Sequence, residues 1–368
     1  MANSFRVPYV DLPSQYRRYG TELLETLQTI ASSGQFILRE EVSRFESEAA
    51  RYLGVRYAVG VNSGTDALWL SLRAMGIAEG DEVITVSHTF VATIAAIVHV
   101  GAKPVLVDIA EDGNIDPEKI EGAITPRTKA IVVVHMNGKV CDMETIEPIA
   151  LRHGLLILED AAQAFGARYK ERFAGSFGVC GAFSFHPMKV LGCMGDGGLV
   201  TTDDEAVYRQ LLLLRNHGQL SKSELVLFGY NSRLDNLQAA VLIKKLPYLE
   251  EELLERERVA RYYQNGLGGI PHVRLPAFHE NGRRDVFSSY VIRAENRDGL
   301  FDYLMENGVE VAIHWKIPNH RQAQLGLDGF GLETTERYSA EILSLPIHPY
   351  LDESQTRYVV DKVIEFYA

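Results

Sequence analysis

Apolar positions recur at two different spacings along the first 160 residues, and the regular exchange between them predicts the architecture. Short apolar runs predict strands over 57–61, 82–86, 104–108, 130–135 and 155–159. Between them, apolar residues three and four apart predict helices over 67–75, 89–99, 117–123 and 143–153. The runs Ala130-Ile131-Val132-Val133-Val134 and Leu155-Leu156-Ile157-Leu158 are apolar at every position, as strands buried on both faces are. Strands and helices in alternation imply an α/β fold with a mostly parallel sheet between helices. Ahead of it, an amphipathic helix is expected around 19–30, a loop at Ser33-Gly34-Gln35-Phe36-Ile37, and a helix from Glu40 that buries Val42, Phe45, Ala49, Tyr52 and Leu53 and stops at Gly54.

The alternation fades after Gly198. One long helix is expected over 239–263, with Glu250-Glu251-Glu252 and Glu255-Arg256-Glu257-Arg258 forming a solvated charged face. Beyond Pro271 the pattern predicts a strand at 287–293, a helix at 297–307, a strand at 309–315 and a terminal helix at 353–367, a smaller C-terminal α+β domain. The boundary is placed in the connector, giving an arm and large domain over 1–245 and a connector with the small domain over 246–368.

Composition narrows the partners. Lys and Arg number 37 against 49 Asp and Glu, a formal net charge of −12, which disfavours a nucleic-acid partner. Cys141, Cys180 and Cys193 form no CxxC pair and no zinc spacing, so buried thiols in a reducing, cytoplasmic compartment are expected, with no metal. No run is long enough to span a membrane, and Met1-Ala2-Asn3-Ser4 does not lead into a signal peptide.

In a parallel sheet, ligands bind beyond the carboxyl ends of the strands. That rule directs attention to 63–66, 87–90, 135–138 and 160–163. Lys189 follows Phe183-Ser184-Phe185-His186-Pro187-Met188 and precedes the glycine-rich 192–198 stretch. Burial there lowers an amine's pKa toward that of a nucleophile, as a Schiff-base lysine requires, whereas a lone lysine is more often a surface residue. Asp160, at a strand end, suits a carboxylate that keeps a pyridinium nitrogen protonated, or a helix N-terminal carboxylate. Gln163 faces the same region and suits a hydrogen bond to a cofactor oxygen. Ser63-Gly64-Thr65 opens a helix, either as a phosphate cradle or simply as an N-cap, and Ser184 offers another hydroxyl. Phe90 suits stacking on a planar ring or a place in the core. No G-x-G-x-x-G, P-loop or G-x-S-x-G motif is present, and His314 and His320 lack a third metal ligand.

Taken in order, Ser63-Gly64-Thr65-Asp66-Ala67-Leu68, Gly80-Asp81-Glu82-Val83, Glu159-Asp160-Ala161-Ala162-Gln163, Ser184 through Lys189, Gly195-Asp196-Gly197-Gly198 and Asn231-Ser232-Arg233-Leu234-Asp235-Asn236-Leu237-Gln238-Ala239-Ala240 resemble the DegT/DnrJ/EryC1/StrS sugar aminotransferases over nearly the whole chain. The resemblance implies a fold-type I enzyme dependent on pyridoxal 5′-phosphate, a large transferase-like domain with a smaller C-terminal one. It implies that Lys189 bonds the cofactor aldehyde and moves the proton, that Asp160 pairs with the pyridine nitrogen, and that Gln163 meets the cofactor oxygen. Gly64, Thr65 and Ser184 would hold the phosphate, Phe90 would cover the ring, and Asn231 would reach the phosphate of a neighbouring subunit in a homodimer with shared active sites. The implied substrates are L-glutamate and a nucleotide-linked keto-deoxysugar of amino-sugar biosynthesis, with His314, Lys316 and His320 as candidate substrate contacts. The Asn231–Asp235 and Ile317–Gln322 segments resemble members acting at C-3, whereas His186-Pro187 resembles the C-4 group. Three positions depart from the family pattern: Trp315-Lys316, where tyrosine and proline are frequent, Met136-Asn137, where a bulky apolar and aromatic pair often precedes Gly138, and Arg39, where glycine is usual. Two other readings are a related sugar dehydratase, which carries histidine where Lys189 stands, and a cofactor-binding regulator without turnover.

Overall fold

Seven strands form the central sheet of the computed structural model, which describes residues 5–278 and 282–368. The chain enters through α1 (Leu12–Ser33) and α2 (Glu40–Leu53), each closed by a left-handed glycine, Gly34 and Gly54. The sheet then builds as β1 (Tyr57–Val61), α3 (Gly64–Ala74), β2 (Glu82–Val86), α4 (Val91–His99), β3 (Lys103–Val107), β4 (Thr128–Val134), α5 (Met143–His153) and β5 (Leu156–Asp160). A small hairpin, β6 (Arg168–Tyr169) and β7 (Arg172–Phe173), precedes the last two sheet strands, β8 (Cys180–Ser184) and β9 (Gly198–Thr202). Their spatial order is β1-β9-β8-β5-β4-β2-β3, and β9 alone runs against its neighbours. Because β9 is reversed, its first residue, Gly198, lies opposite the last residues of β1 and β8, Val61 and Ser184. The ligand edge of the sheet therefore gathers the ends of the parallel strands and the start of the reversed one.

Side chains alternate across this sheet as strand geometry requires. Ile131 and Val133 join one buried cluster with α2 and α5, while Ala130 and Val132 join the other with α3 and α4. Beyond β9 come α6 (Glu205–Leu214), the hairpin β10 (Gln219–Ser221) with β11 (Glu224–Leu225), α7 (Asn236–Lys245) and α8 (Leu249–Leu267). A third buried cluster forms from α8, β12 (Val273–Arg274), β14 (Tyr290–Ala294), α9 (Arg297–Glu306), β15 (Ile342–Leu345) and α11 (Glu353–Tyr367), while α10 (Glu333–Glu341) packs beside β14. Val7 belongs to this third cluster and bridges Val309, so the start of the described chain packs on its last third. β13 (Arg283–Arg284) crosses back to pair with β6.

Three expected elements differ. The single connector helix is two, α7 and α8, separated by a 3-10 turn at Leu246–Tyr248 because Pro247 lacks an N–H and its ring obstructs the preceding turn. The helix expected at 117–123 is two short 3-10 turns, Pro117–Lys119 and Glu121–Ala123. No strand forms at 309–315: Val309 and Ala312 make single bridges, to Val7 and Ser344, without a continuous ladder.

Candidate active site

A cavity of about 520 Å³ opens at the ligand edge of the sheet. Gly64, Thr65, Phe90, Asp160, Gln163, Ser184, Lys189 and His314 all line it. Loops after four separate strands deliver them to one place, together with the segment around His314.

Lys189 lies on a tight loop that closes on itself. Its own N–H bonds the His186 carbonyl at 2.8 Å, Phe185 N–H bonds Gly197 and Cys193 N–H bonds Phe185. Among the described residues Nζ makes no hydrogen bond, and Asp160 is the charge it feels. Burial lowers its pKa, and the nearby Asp160 charge opposes that shift only in part. Asp160 is the last residue of β5 and is buried. Burial raises its pKa, offset by Thr93 Oγ1 donating to Oδ2 at 2.6 Å and Ala162 N–H donating to Oδ1 at 3.2 Å. Two donors thus orient the carboxylate while each oxygen keeps a lone pair for a further proton donor.

Gln163 has a fixed orientation. Its Oε1 accepts the backbone N–H of Asn137 at 2.7 Å, and since an N–H must meet an acceptor, the amide NH₂ is turned away as a donor. Next to Asp160, buried Glu159 accepts from Gly175, Phe177 and Gly178 amides at 2.6, 2.6 and 2.7 Å and from His135 Nε2 at 2.8 Å. Cys141 N–H donates to His135 Nδ1 at 3.1 Å, so the ring carries its proton on Nε2. This closed network anchors the ends of β4 and β5 under the cavity.

A phosphate fits the start of α3. Ser63 caps the helix by accepting Asp66 N–H at 3.1 Å, so the cap and the cradle are the same turn. The Gly64 and Thr65 amides are first-turn donors that an intrahelical carbonyl cannot reach. A Cβ on Gly64 would stand 2.6 Å from Ser184 Cβ, so the missing side chain lets the Ser184 hydroxyl approach the helix end. A Cβ on Gly198 would stand 2.2 Å from the Ser63 carbonyl, which gives the glycine at 198 its structural purpose. Phe90 is 55% exposed beside this cradle, an aromatic face open to the cavity. Donors for a phosphate, a carboxylate for a ring nitrogen, an amide donor, an aromatic face and a desolvated amine together fit pyridoxal 5′-phosphate.

Three expected residues lie elsewhere. Lys316 is exposed and pairs with Asp298 at 3.1 Å. His320 is buried away from the cavity, its Nδ1 on Ser87 Oγ at 2.7 Å and Nε2 on Glu336 Oε1 at 3.2 Å, so both nitrogens serve the fold. Asn231 is exposed, outside the cavity of its own chain, next to Ser232, which bonds Asp66 of α3 at 2.6 Å. Thr93 was not expected, although it had a signal, since it stands on α4 one helical turn after Phe90 and shares its face; Asn137 lay in the 135–138 strand end singled out from the sequence, but its pairing with Gln163 left no trace there, because that partner comes from another strand end.

The profile of the DegT/DnrJ/EryC1/StrS aminotransferase family matches residues 18–364. The chain is 41% identical to dTDP-3-amino-3,4,6-trideoxy-alpha-D-glucose transaminase of Streptomyces venezuelae, over 99% of this chain and 97% of that one. It is also 41% identical to a pleiotropic regulatory protein of Geobacillus stearothermophilus, over 98% of each chain. Among solved structures it resembles S. venezuelae DesV in complex with a ketimine intermediate, with a TM-score of 0.95 and 42% identity over 98% of both chains. It also resembles NtdA of Bacillus subtilis with bound cofactor PMP, with a TM-score of 0.89 and 31% identity over 95% of this chain and 82% of that one.

Proposed function

The chain belongs to the DegT/DnrJ/EryC1/StrS aminotransferase family, and from that premise we propose that it holds pyridoxal 5′-phosphate on Lys189 and transfers an amino group from L-glutamate to a nucleotide-linked keto-deoxysugar, at C-3 in preference to C-4. The observation that carries the reading is the pairing of an amine with a lowered pKa and a buried, oriented carboxylate in one cavity, beside a helix end shaped for phosphate. The S. venezuelae relative is named for an amine on carbon 3, which supports the C-3 preference.

When bound, the cofactor supplies an aldehyde that captures amines and a ring that draws electrons from the carbon bearing them. The chain's own residues do the rest. The Gly64 and Thr65 amides and the Ser184 hydroxyl hold the phosphate, and the Phe90 face limits tilt of the ring. Asp160, steadied by Thr93 and Ala162, keeps the ring nitrogen protonated, and the Gln163 NH₂ donates to the ring oxygen. Lys189, less basic through burial, would take and hold the proton of the donor's α-carbon.

A homodimer is part of the reading. Leu220, Leu225, Val226 and Phe228 are exposed on and after the β10–β11 hairpin, with Phe228 at 101%, and an apolar projection of this kind is suited to burial against a second copy that brings Asn231 to the other site. The division at 245/246 is supported by a buried cluster drawn, apart from Val7, from residues after 258. Three unpaired buried thiols suit the cytoplasm, and no described helix is long and apolar enough to cross a membrane.

The Geobacillus relative's name favours a second reading, a cofactor-binding regulator. Amino transfer by the wild-type protein separates the two. Lys189→Ala is expected to lose the visible absorbance of the bound cofactor and all amino transfer from glutamate. A wild-type protein that holds the cofactor yet never transfers its amine would leave the regulator reading standing.

A further inference from the structure

A second chamber of about 330 Å³ lies beside the main cavity, and Met136, Asn137 and Ser289 line both. These residues form the partition between the two spaces. The Asn137 backbone is held on both sides, its N–H by Gln163 Oε1 at 2.7 Å and its carbonyl by Ser288 N–H at 3.0 Å. Its φ of 59° is left-handed, a conformation that asparagine tolerates and bulkier side chains resist. A short polar residue is therefore fixed in the partition.

The chamber differs from the main cavity in its unpaired charge. Lys139 is paired with Asp112 at 3.2 Å, and Arg293 is bonded to both Glu111 and Glu341. Arg274 and Arg283 make no ion pair among the described residues, and Asp285 is the remaining acid of the lining. Arg283 Nε is buried with no hydrogen-bond partner, and its guanidinium carbon lies 5.2 Å from the centre of the Tyr169 ring. In the main cavity the one guanidinium among the lining residues is that of Arg256, whose Nη1 bonds the Phe287 and Ile347 carbonyls and whose charge lies close to that of Glu252. A guanidinium is a forked donor matched to a carboxylate. Two guanidinium groups with no ion pair among the described residues thus line the space on the far side of Asn137.

We propose that this chamber receives the distal carboxylate of a dicarboxylic amino donor, with Arg274 and Arg283 as counter-charges and the short Asn137 in the wall it shares with the main cavity; this rests on the aminotransferase reading above. An amine delivered to Lys189 leaves the rest of its molecule in the cavity, and a side chain ending in a negative charge is drawn to the neighbouring space with positive charge in excess.

The test uses the loaded enzyme carrying Arg274→Gln and Arg283→Gln together, and Arg283→Lys alone. The glutamate concentration that half-converts the cofactor's visible absorbance is expected to rise roughly 10- to 100-fold in the double variant. L-Alanine, which lacks the distal carboxylate, is expected to convert both proteins alike, and Arg283→Lys to retain most of the preference for glutamate. Glutarate, which has no amine to react, is expected to bind the double variant more weakly by the same factor in calorimetry. Equal losses with glutamate and alanine, or no loss with either, overturn the proposal. Weakened binding of UDP-glucuronic acid relative to UDP-glucose, with glutarate and glutamate untouched, overturns it in favour of a carboxylate on the acceptor sugar. If the wild-type absorbance answers to no amino acid, the aminotransferase reading fails, and glutarate binding still decides the chamber.

Discussion

Lys189 and Asp160 are ionisable groups held out of water, and burial moves their pKa values in opposite directions, down for the amine and up for the acid. Both shifts favour the neutral form, and a protonated ring nitrogen held beside Asp160 would add to the opposite charge that Lys189 supplies only in part. Asp160→Asn tests that pairing. An amide keeps the size, and the Thr93 hydroxyl can reverse its role, so the melting temperature is expected to stay within about 3 °C of wild type. Amino transfer is expected to fall roughly 100-fold or more with cofactor still bound, because a neutral amide does not hold the pyridinium. An unchanged rate would remove Asp160 from its role. The two residues were legible in the sequence because each follows an apolar strand. His320 was legible as a residue type only: its pairing with Ser87 and Glu336 depends on segments far apart in the chain.

Elements place these residues, and the junction of β1 with α3 carries a tight constraint. Ser63 caps α3 while Gly64 admits Ser184. Gly64→Ala forces a Cβ within 2.6 Å of Ser184 Cβ, which a rigid helix start relieves only by moving the serine away. Cofactor titration followed by absorbance is expected to show affinity reduced about tenfold or more, with Lys189 still reactive; unaltered affinity would mean that the phosphate sits elsewhere. Periodicity found α2, β1, β2, α5 and α11 at their observed bounds because the helices bury one face over several turns and the strands bury consecutive residues on both faces. It failed at the connector, where Pro247 outweighs a continuous helical pattern, and at 309–315, where an apolar run has only single-bridge neighbours.

At the scale of the whole molecule, two buried histidines tie stability to pH. Burial, helped by the nearby charges of His314 and Arg256 respectively, pushes His88 and His348 down to about 4. Their folded values lie below the unfolded value of about 6.5, so the unfolded chain binds the extra protons in that interval. Stability from these groups is present above pH 6.5 and is lost as the pH falls toward 4, by at most about 3 kcal/mol for each. Melting temperatures between pH 7 and 4 are expected to follow that slope. His88→Leu, which removes a ring whose Nδ1 has no partner, is expected to flatten it, and an identical slope in the variant would assign the acid sensitivity to other groups.

By itself the sequence determined the layered α/β class and pointed to the strand ends at one edge of the sheet, where a lysine and a carboxylate line one cavity, because strand and helix periods are local and put chemistry at strand ends by rule. Only the tertiary structure decided that β9 runs backward to bring Gly198 under the phosphate turn, that Thr93 steadies Asp160, that Gln163 is turned by Asn137, and that His320 serves the fold. Each of those depends on hydrogen bonds or close approaches between residues distant in the chain, and such pairings leave no periodic trace along it.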